Sequence, residues 1–321
     1  MNKIIMNKTF INKMMLLVLF AIFFLFSFPV DAQEKYTLKN RYPQGTYEMR
    51  LETDMDMTIK IGEQIIPNRS NQTQYQEIVA EPIEPDGSQQ TIMEIKRIVL
   101  KQTINGQEIA FDSADEKVKN SPLRLMGVMV GLKVTTTFDP NGKITKVEGI
   151  EEFLEKHAQT LPKPALDMLK KQFSGKALTK TLDVMHEAMP KQPVAVGEQW
   201  KSENFSEIPM LGKVKTEQTN TLKEIQLVDE TELAVIVSQS RMKSDSPQEM
   251  NMAAAKMMLN STEIDSESAI QMEVKTGLVI SNVTQIKMNL ELETTAPNNQ
   301  VVKQNVSGEG KTTMTITRAK K

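Results

Sequence analysis

The chain has 321 residues, with 39 basic and 41 acidic side chains, a formal net charge of −2 and no cysteine. That balance, with one Trp and four Tyr, gives no basic stripe and few stacking rings, which argues against nucleic-acid binding. Without cysteine there are no disulfides, thiol catalysis, Fe–S clusters, Cys-based zinc sites or lipidated cysteine, so stability must come from packing.

In chain order, the first feature is a targeting segment. Lys3, Lys8 and Lys13 precede an apolar run from Met14 to Phe28, followed by Pro29-Val30-Asp31-Ala32. A charged start, an apolar centre and small residues before Gln33 read as a secretory signal, residues 1–32, cut near Ala32. An uncleaved N-terminal anchor is the alternative, and no later segment approaches spanning length. The expected location is therefore periplasmic or extracellular, with membrane contact only through this segment.

The next segments alternate with period two. Leu51, Thr53, Met55, Met57, Ile59 and Ile61 share one side, while Glu52, Asp54, Asp56, Thr58 and Lys60 share the other. Residues 278–294 carry the longest stripe, including Ile286, Met288, Leu290 and Leu292. Unbroken, it would span roughly 55 Å at about 3.3 Å per residue, long enough to require twist or bulges. Further strands are expected over 72–80, 91–103, 106–111, 132–138, 143–148, 213–226, 231–240, 267–275, 300–306 and 311–318. Asn105-Gly106 suits a tight hairpin, and Asp139-Pro140-Asn141-Gly142 suits a turn.

Helical spacing is concentrated in the middle. Ile150, Phe153, Leu154, His157 and Leu161 form one face; Leu166, Leu169 and Phe173 a second; Leu178, Leu182, Met185 and Met189 a third. A further short helix is expected near 247–260. Ser246-Pro247-Gln248-Glu249 reads as a capping box, and Met250, Ala253, Ala254, Met257 and Met258 lie at helical spacing. The resulting division is an N-terminal β-rich lobe (33–149), a helical segment (150–190) and a C-terminal β-rich lobe (191–321), with 33–321 as one domain left open. The two lobes share hairpin chemistry that fits either an internal duplication or generic turns.

The motifs Gly106-Gln-Glu-Ile-Ala-Phe111, Asp139-Pro-Asn-Gly-Lys-Ile-Thr-Lys-Val-Glu-Gly149, Val196-Gly-Glu-Gln-Trp200 and Thr276-Gly-Leu-Val279 span most of the chain after the signal. In these the chain resembles a family of secreted bacterial β-rich proteins with no assigned activity. The resemblance implies location and architecture only.

Chemical motifs are sparse. His157 and His186 are the only histidines, and neither lies in a zinc-binding pattern. Asp54 with Asp56, and Glu263 with Asp265 and Glu267, would share strand faces; calcium ligation is one reading and a solvated face the simpler one. Six Asn-x-Ser/Thr sequences begin at Asn68, Asn71, Asn204, Asn260, Asn282 and Asn305 and read as chance, since Asn282 falls on an apolar stripe. The 22 methionines suit an irregular core, an adaptable apolar pocket or, least well, Cu(I).

The expected fold is α+β and antiparallel β-rich, with long curled strands forming a half-barrel-like or two-lobed sheet. The expected function is non-catalytic: an exported module for a lipid or other apolar small molecule, with no cofactor and no metal. Candidate ligand-binding residues are Met55, Met57, Phe153, Leu154, Met185, Met257, Ile286, Met288 and Leu290. A structural or interaction module meeting an envelope protein is the alternative, and a hydrolase without a recognisable motif is the third reading.

Overall fold

The computed structural model describes residues 34–115, 127–158, 189–208, 211–244, 247–252, 255–295 and 300–319, together with Leu166 and Lys170. A two-stranded sheet pairs β1 (Lys35–Tyr36) with β8 (Val194–Ala195). Thirteen further strands form one antiparallel sheet: β2 (Gly45–Ile61), β3 (Gln64–Ala80), β4 (Gln89–Ile104), β5 (Gln107–Asp112), β6 (Lys133–Phe138), β7 (Ile144–Glu148), β9 (Gln199–Ile208), β10 (Gly212–Val228), β11 (Thr231–Ser244), β12 (Gln248–Met252), β13 (Ala255–Glu273), β14 (Val279–Thr295) and β15 (Val301–Arg318). The strand order is β7-β6-β4-β3-β2-β15-β14-β13-β11-β10-β9, with β5 added on β4 and β12 on β13. β7 and β9 end the path on opposite sides, so the sheet is open rather than a closed barrel.

The long strands form because alternation continues far beyond a usual strand of about 5–6 residues. The 17 residues of β2 span roughly 56 Å at about 3.3 Å per residue. The first long strand and the last pair directly, from Tyr47 opposite Arg318 to Ile61 opposite Gln304. This pairing carries one sheet through both β-rich parts of the sequence.

One face of the sheet carries the buried core and is called inner here; the other is outer. Three buried groups lie on the inner face. Ile95, Ile98, Leu100, Phe111 and Val134 pack with Ile150 and Leu154 of α1 (Ile150–Lys156). Leu222, Ile236 and Met272 pack under Leu38 and Val194. Tyr47, Ile78, Leu278 and Ile316 form the third group, with Tyr42 edge-on to Tyr47 at a ring separation of 5.9 Å. Each fully buried side chain of this size contributes about 1.5–3 kcal/mol of transfer free energy.

The β-rich reading holds, and several elements differ in extent. Residues 300–306 and 311–318 form one strand, β15, because Gly308 and Gly310 continue the ladder opposite Met57 and Met55. A Cβ on Gly310 would collide with the Asp54 carbonyl oxygen and Met55 Sδ, so these glycines let methionines lie flat across β15. β3 begins at Gln64, well before the expected 72, although its first half contains Pro67 and few apolar residues.

The expected helix near 247–260 is instead strand. β12 pairs with the start of β13, and β13 pairs with β14 from Lys256 opposite Thr295 onward. Helical spacing of Met250, Met257 and Met258 is overridden by the ladder that β14 offers, as happens when tertiary pairing competes with local pattern. A bulge between Leu259 and Ser261 shifts the alternation by one residue, which masks the period-two signal across it. Of the helical segment at 150–190, α1 is described; most of 159–188, including Met185 and His186, lies outside the described residues, as does the signal segment 1–32.

Replacing Gly310 with Val is expected to destabilise the fold by about 1–3 kcal/mol, read as a lower midpoint in urea unfolding. A pH dependence follows from the tyrosine pair. Tyr42 keeps part of its surface accessible, yet burial first, and Tyr47 second, push its phenol up to about 12. Burial likewise raises Tyr47. An unfolded tyrosine titrates near pH 10 (about 10), so the pair's contribution is complete below that pH and is lost as pH rises from there to about 12. Urea midpoints measured across that window should fall, and in a Tyr42→Phe variant they should fall less.

Candidate ligand-binding face

Register determines which side chains share the inner face. One row runs Thr216, Met242, Ile264, Met288, Gly308, Met57 and Asn68 across β10, β11, β13, β14, β15, β2 and β3. The neighbouring row runs Gln218, Ser240, Ser266, Ile286, Gly310, Met55 and Ser70. On the other side of the methionine row, Leu290, Val306 and Ile59 are directly opposed. Met55 and Met57 of β2 and Ile286, Met288 and Leu290 of β14, all half-buried, therefore flank β15, whose intervening positions are Gly308 and Gly310. Met257 shares this face further along β13, beyond the bulge, opposite Thr294.

Phe153 and Leu154 belong elsewhere. Leu154 is 2 % exposed inside the core group on β4–β7, and Phe153 packs against that group. The ring of His157 stacks on Phe153 at 4.3 Å, and its Nδ1 lies 2.9 Å from the Phe153 carbonyl oxygen, a contact within its own helix. Among the described residues, no group of three or more His, Asp or Glu is arranged to hold a metal ion.

The outer face is charged, and the row between those of Met55 and Met57 shows it. Glu217, Arg241, Asp265, Lys287, Glu309, Asp56 and Arg69 succeed one another across seven strands. Arg241 donates from Nε to Asp265 at 2.6 Å, and Lys243 lies 3.0 Å from Glu263. The Arg241 hydrogen bond holds the Asp265 carboxyl below the usual carboxylate range. The carboxylates Glu263 and Asp265 thus meet cations of the next strand, as ion pairs of a solvated face. Arg69 approaches Asp56 at 3.5 Å. A groove of about 550 Å³ follows this part of the sheet and is lined by Lys287, Glu309, Asp56, Arg69, Asn289 and Ser307, with Met57 and Met288 also in its lining. Its two cations and two carboxylates balance, which favours no ionic ligand of either sign.

Among the described residues, charge is absent from the long stretch of the inner face beyond the Tyr47 row, where Arg318 lies opposite Tyr47. Along β2, β3, β10, β11, β13, β14 and β15, from the row of Met49 to the row of Ile61, no described inner-face register position holds Asp, Glu, Lys, Arg or His. Composition alone does not reveal this, because a quarter of all residues are charged.

Residues 86–279 match a family of unknown function, DUF6263, over more than half of the chain. The chain belongs to that family. No curated protein matches it. Among solved structures it is similar to one titled "Lipid-protein interactions in lipovitellin", at 13 % identity and a TM-score of 0.44. That alignment covers 88 % of this chain and 26 % of the other, so the chain spans about a quarter of the lipovitellin chain. It is also similar to the COG4313 outer membrane channel from Pseudomonas putida F1, at 7 % identity and a TM-score of 0.24, covering 90 % and 99 % of the two chains. At these TM-scores neither likeness bears on function.

If the outer ion pairs are ordinary surface pairs, Asp265→Asn should change the unfolding free energy by less than about 1 kcal/mol in a urea titration.

Proposed function

We propose that this protein is an exported, non-catalytic binding or carrier module for a hydrophobic, lipid-like ligand, held on the inner face over Met55, Met57, Ile286, Met288 and Leu290. The observation that carries the reading is the uncharged stretch of the inner face, on which these half-buried apolar side chains share rows across β15. A strand face that served only to meet water would carry charge on both sides, as a solvated face does. Methionine suits the task, because an unbranched thioether repacks around ligands of irregular shape. Gly308 and Gly310 add to this by leaving room on β15 for Met57 and Met55 to lie across it. The export step rests on the basic and apolar segment at residues 1–32.

The test is native mass spectrometry of the protein purified from its own envelope fraction, followed by unfolding and lipid extraction. A lipid or acyl species released on unfolding is the expected result. An apo mass, together with no binding of the apolar dye N-phenyl-1-naphthylamine, overturns the proposal. Met288→Asp places a charge in the centre of the patch and should weaken dye binding at least about tenfold while the far-ultraviolet dichroism of the sheet is kept.

A further inference from the structure

The inner face is not uniformly apolar. Between the core end and the methionine patch lies a transverse belt of hydroxyl and amide groups. Asn220, Ser238, Ser268, Thr284, Thr312, Thr53 and Gln72 are directly opposed in a single row across seven strands. Gln218, Ser240 and Ser266 widen the belt by a second row on β10, β11 and β13. Its members bond sideways: Ser268 to Thr284 at 2.9 Å, Thr53 to Thr312 at 3.3 Å and Ser240 to Ser266 at 2.7 Å. The Gln218 amide donates to Ser238 Oγ and Asn220 Oδ1, each at 2.8 Å.

A belt of this kind has a cost that aliphatic residues would avoid, since β-branched apolar side chains suit these positions as well as threonine does. Thr284 also bonds Asn282 Oδ1 at 3.2 Å, but each hydroxyl offers one donor and two acceptor sites, so one or two such bonds leave acceptor capacity unused.

We infer that the ligand is an uncharged amphiphile: acyl chains over the methionine patch, and a neutral head bearing hydroxyl or ester oxygens against the half-buried stretch of the belt at Ser268, Thr284, Thr312, Thr53 and Gln72, as in an acylglycerol; Asn220 and Ser238 at its β10–β11 end are buried. This rests on the proposed binding function and narrows its ligand class. This stretch of the inner face has donors and acceptors but no charge to compensate a phosphate, a carboxylate or an ammonium, and burying such a group unpaired is strongly unfavourable. The scale fits: Thr53 and Met57 are four residues apart on β2, about 13 Å at the strand rise, so chain and head of one lipid reach both zones.

The experiment uses the full chain with N-phenyl-1-naphthylamine bound, and displaces the dye with dioleoylglycerol, dioleoylphosphatidylglycerol or oleate. Dioleoylglycerol should displace it at a concentration at least about tenfold lower than either charged lipid. The double variant Thr53→Val/Thr312→Val keeps side-chain shape and removes two belt hydroxyls. It should weaken dioleoylglycerol at least about fivefold and leave dye affinity unchanged. Ser268→Ala/Thr284→Val tests the same belt on β13 and β14 if the first pair does not fold. Equal displacement by charged and uncharged lipids, or unchanged dioleoylglycerol affinity in a folded belt variant, overturns the head-group inference and leaves the binding function standing. Failure of the dye to bind wild-type protein, together with an apo mass in native mass spectrometry, overturns both.

Discussion

Cross-strand register holds the two faces of this sheet apart. Asp54 and Asp56 lie one residue away from Met55 and Met57, and Lys287 lies one residue from Ile286 and Met288. A slip of one residue in a pairing would carry every charge of that strand to the inner face and every apolar side chain to water. Fifteen consecutive pairs join β14 to β15 without a shift, and β15 to β2 runs equally unbroken from Gln304 to Arg318. The outer charge row reinforces this register, since Arg241 meets Asp265 and Asp265 meets Lys287 only in the observed alignment. Individually such exposed pairs contribute little.

With register set, the inner face divides into zones by row rather than by strand. The rows nearest Tyr47 and Leu278 close into the buried core under the 35–45 segment, residues 189–196 and α1. Beyond the hydroxyl and amide belt, Met55, Met57, Ile286, Met288 and Leu290 are half-buried, while Val214, Leu259, Thr262 and Val306 in the same zone are buried. The 17-residue length of β2, β3 and β14 lets one set of strands carry the core rows, the belt and the methionine rows.

The alternation of β2 and β14 was plain in the residues, so the patch residues Met55, Met57, Ile286, Met288 and Leu290 were legible as two separate stripes. That the stripes adjoin was not, because β15 lies between them and its glycines read as a break between two short strands. The region 247–260 misled for a related reason: its methionines fit a helix locally, and the bulge at residue 260 hides the alternation that β14 imposes. Phe153 and Leu154 carried a genuine apolar signal, yet apolar spacing alone cannot distinguish a core contact from a ligand contact. The belt left no signal at all, since Thr53, Thr284 and Thr312 are far apart in sequence and unremarkable singly.

Sequence by itself determined the strand-rich class, the two-sided character of the long strands, the cysteine-free dependence on packing and the charged, apolar character of residues 1–32. These are properties of composition and of neighbours one or two residues apart, where side-chain periodicity speaks directly. The tertiary structure alone decided that the two β-rich parts share one sheet, which stripes adjoin, and that seven strands align their uncharged polar residues in a single row. Those features depend on partners some 260 residues apart, as with Thr53 and Thr312, and no local pattern in a chain encodes which distant strand will lie opposite.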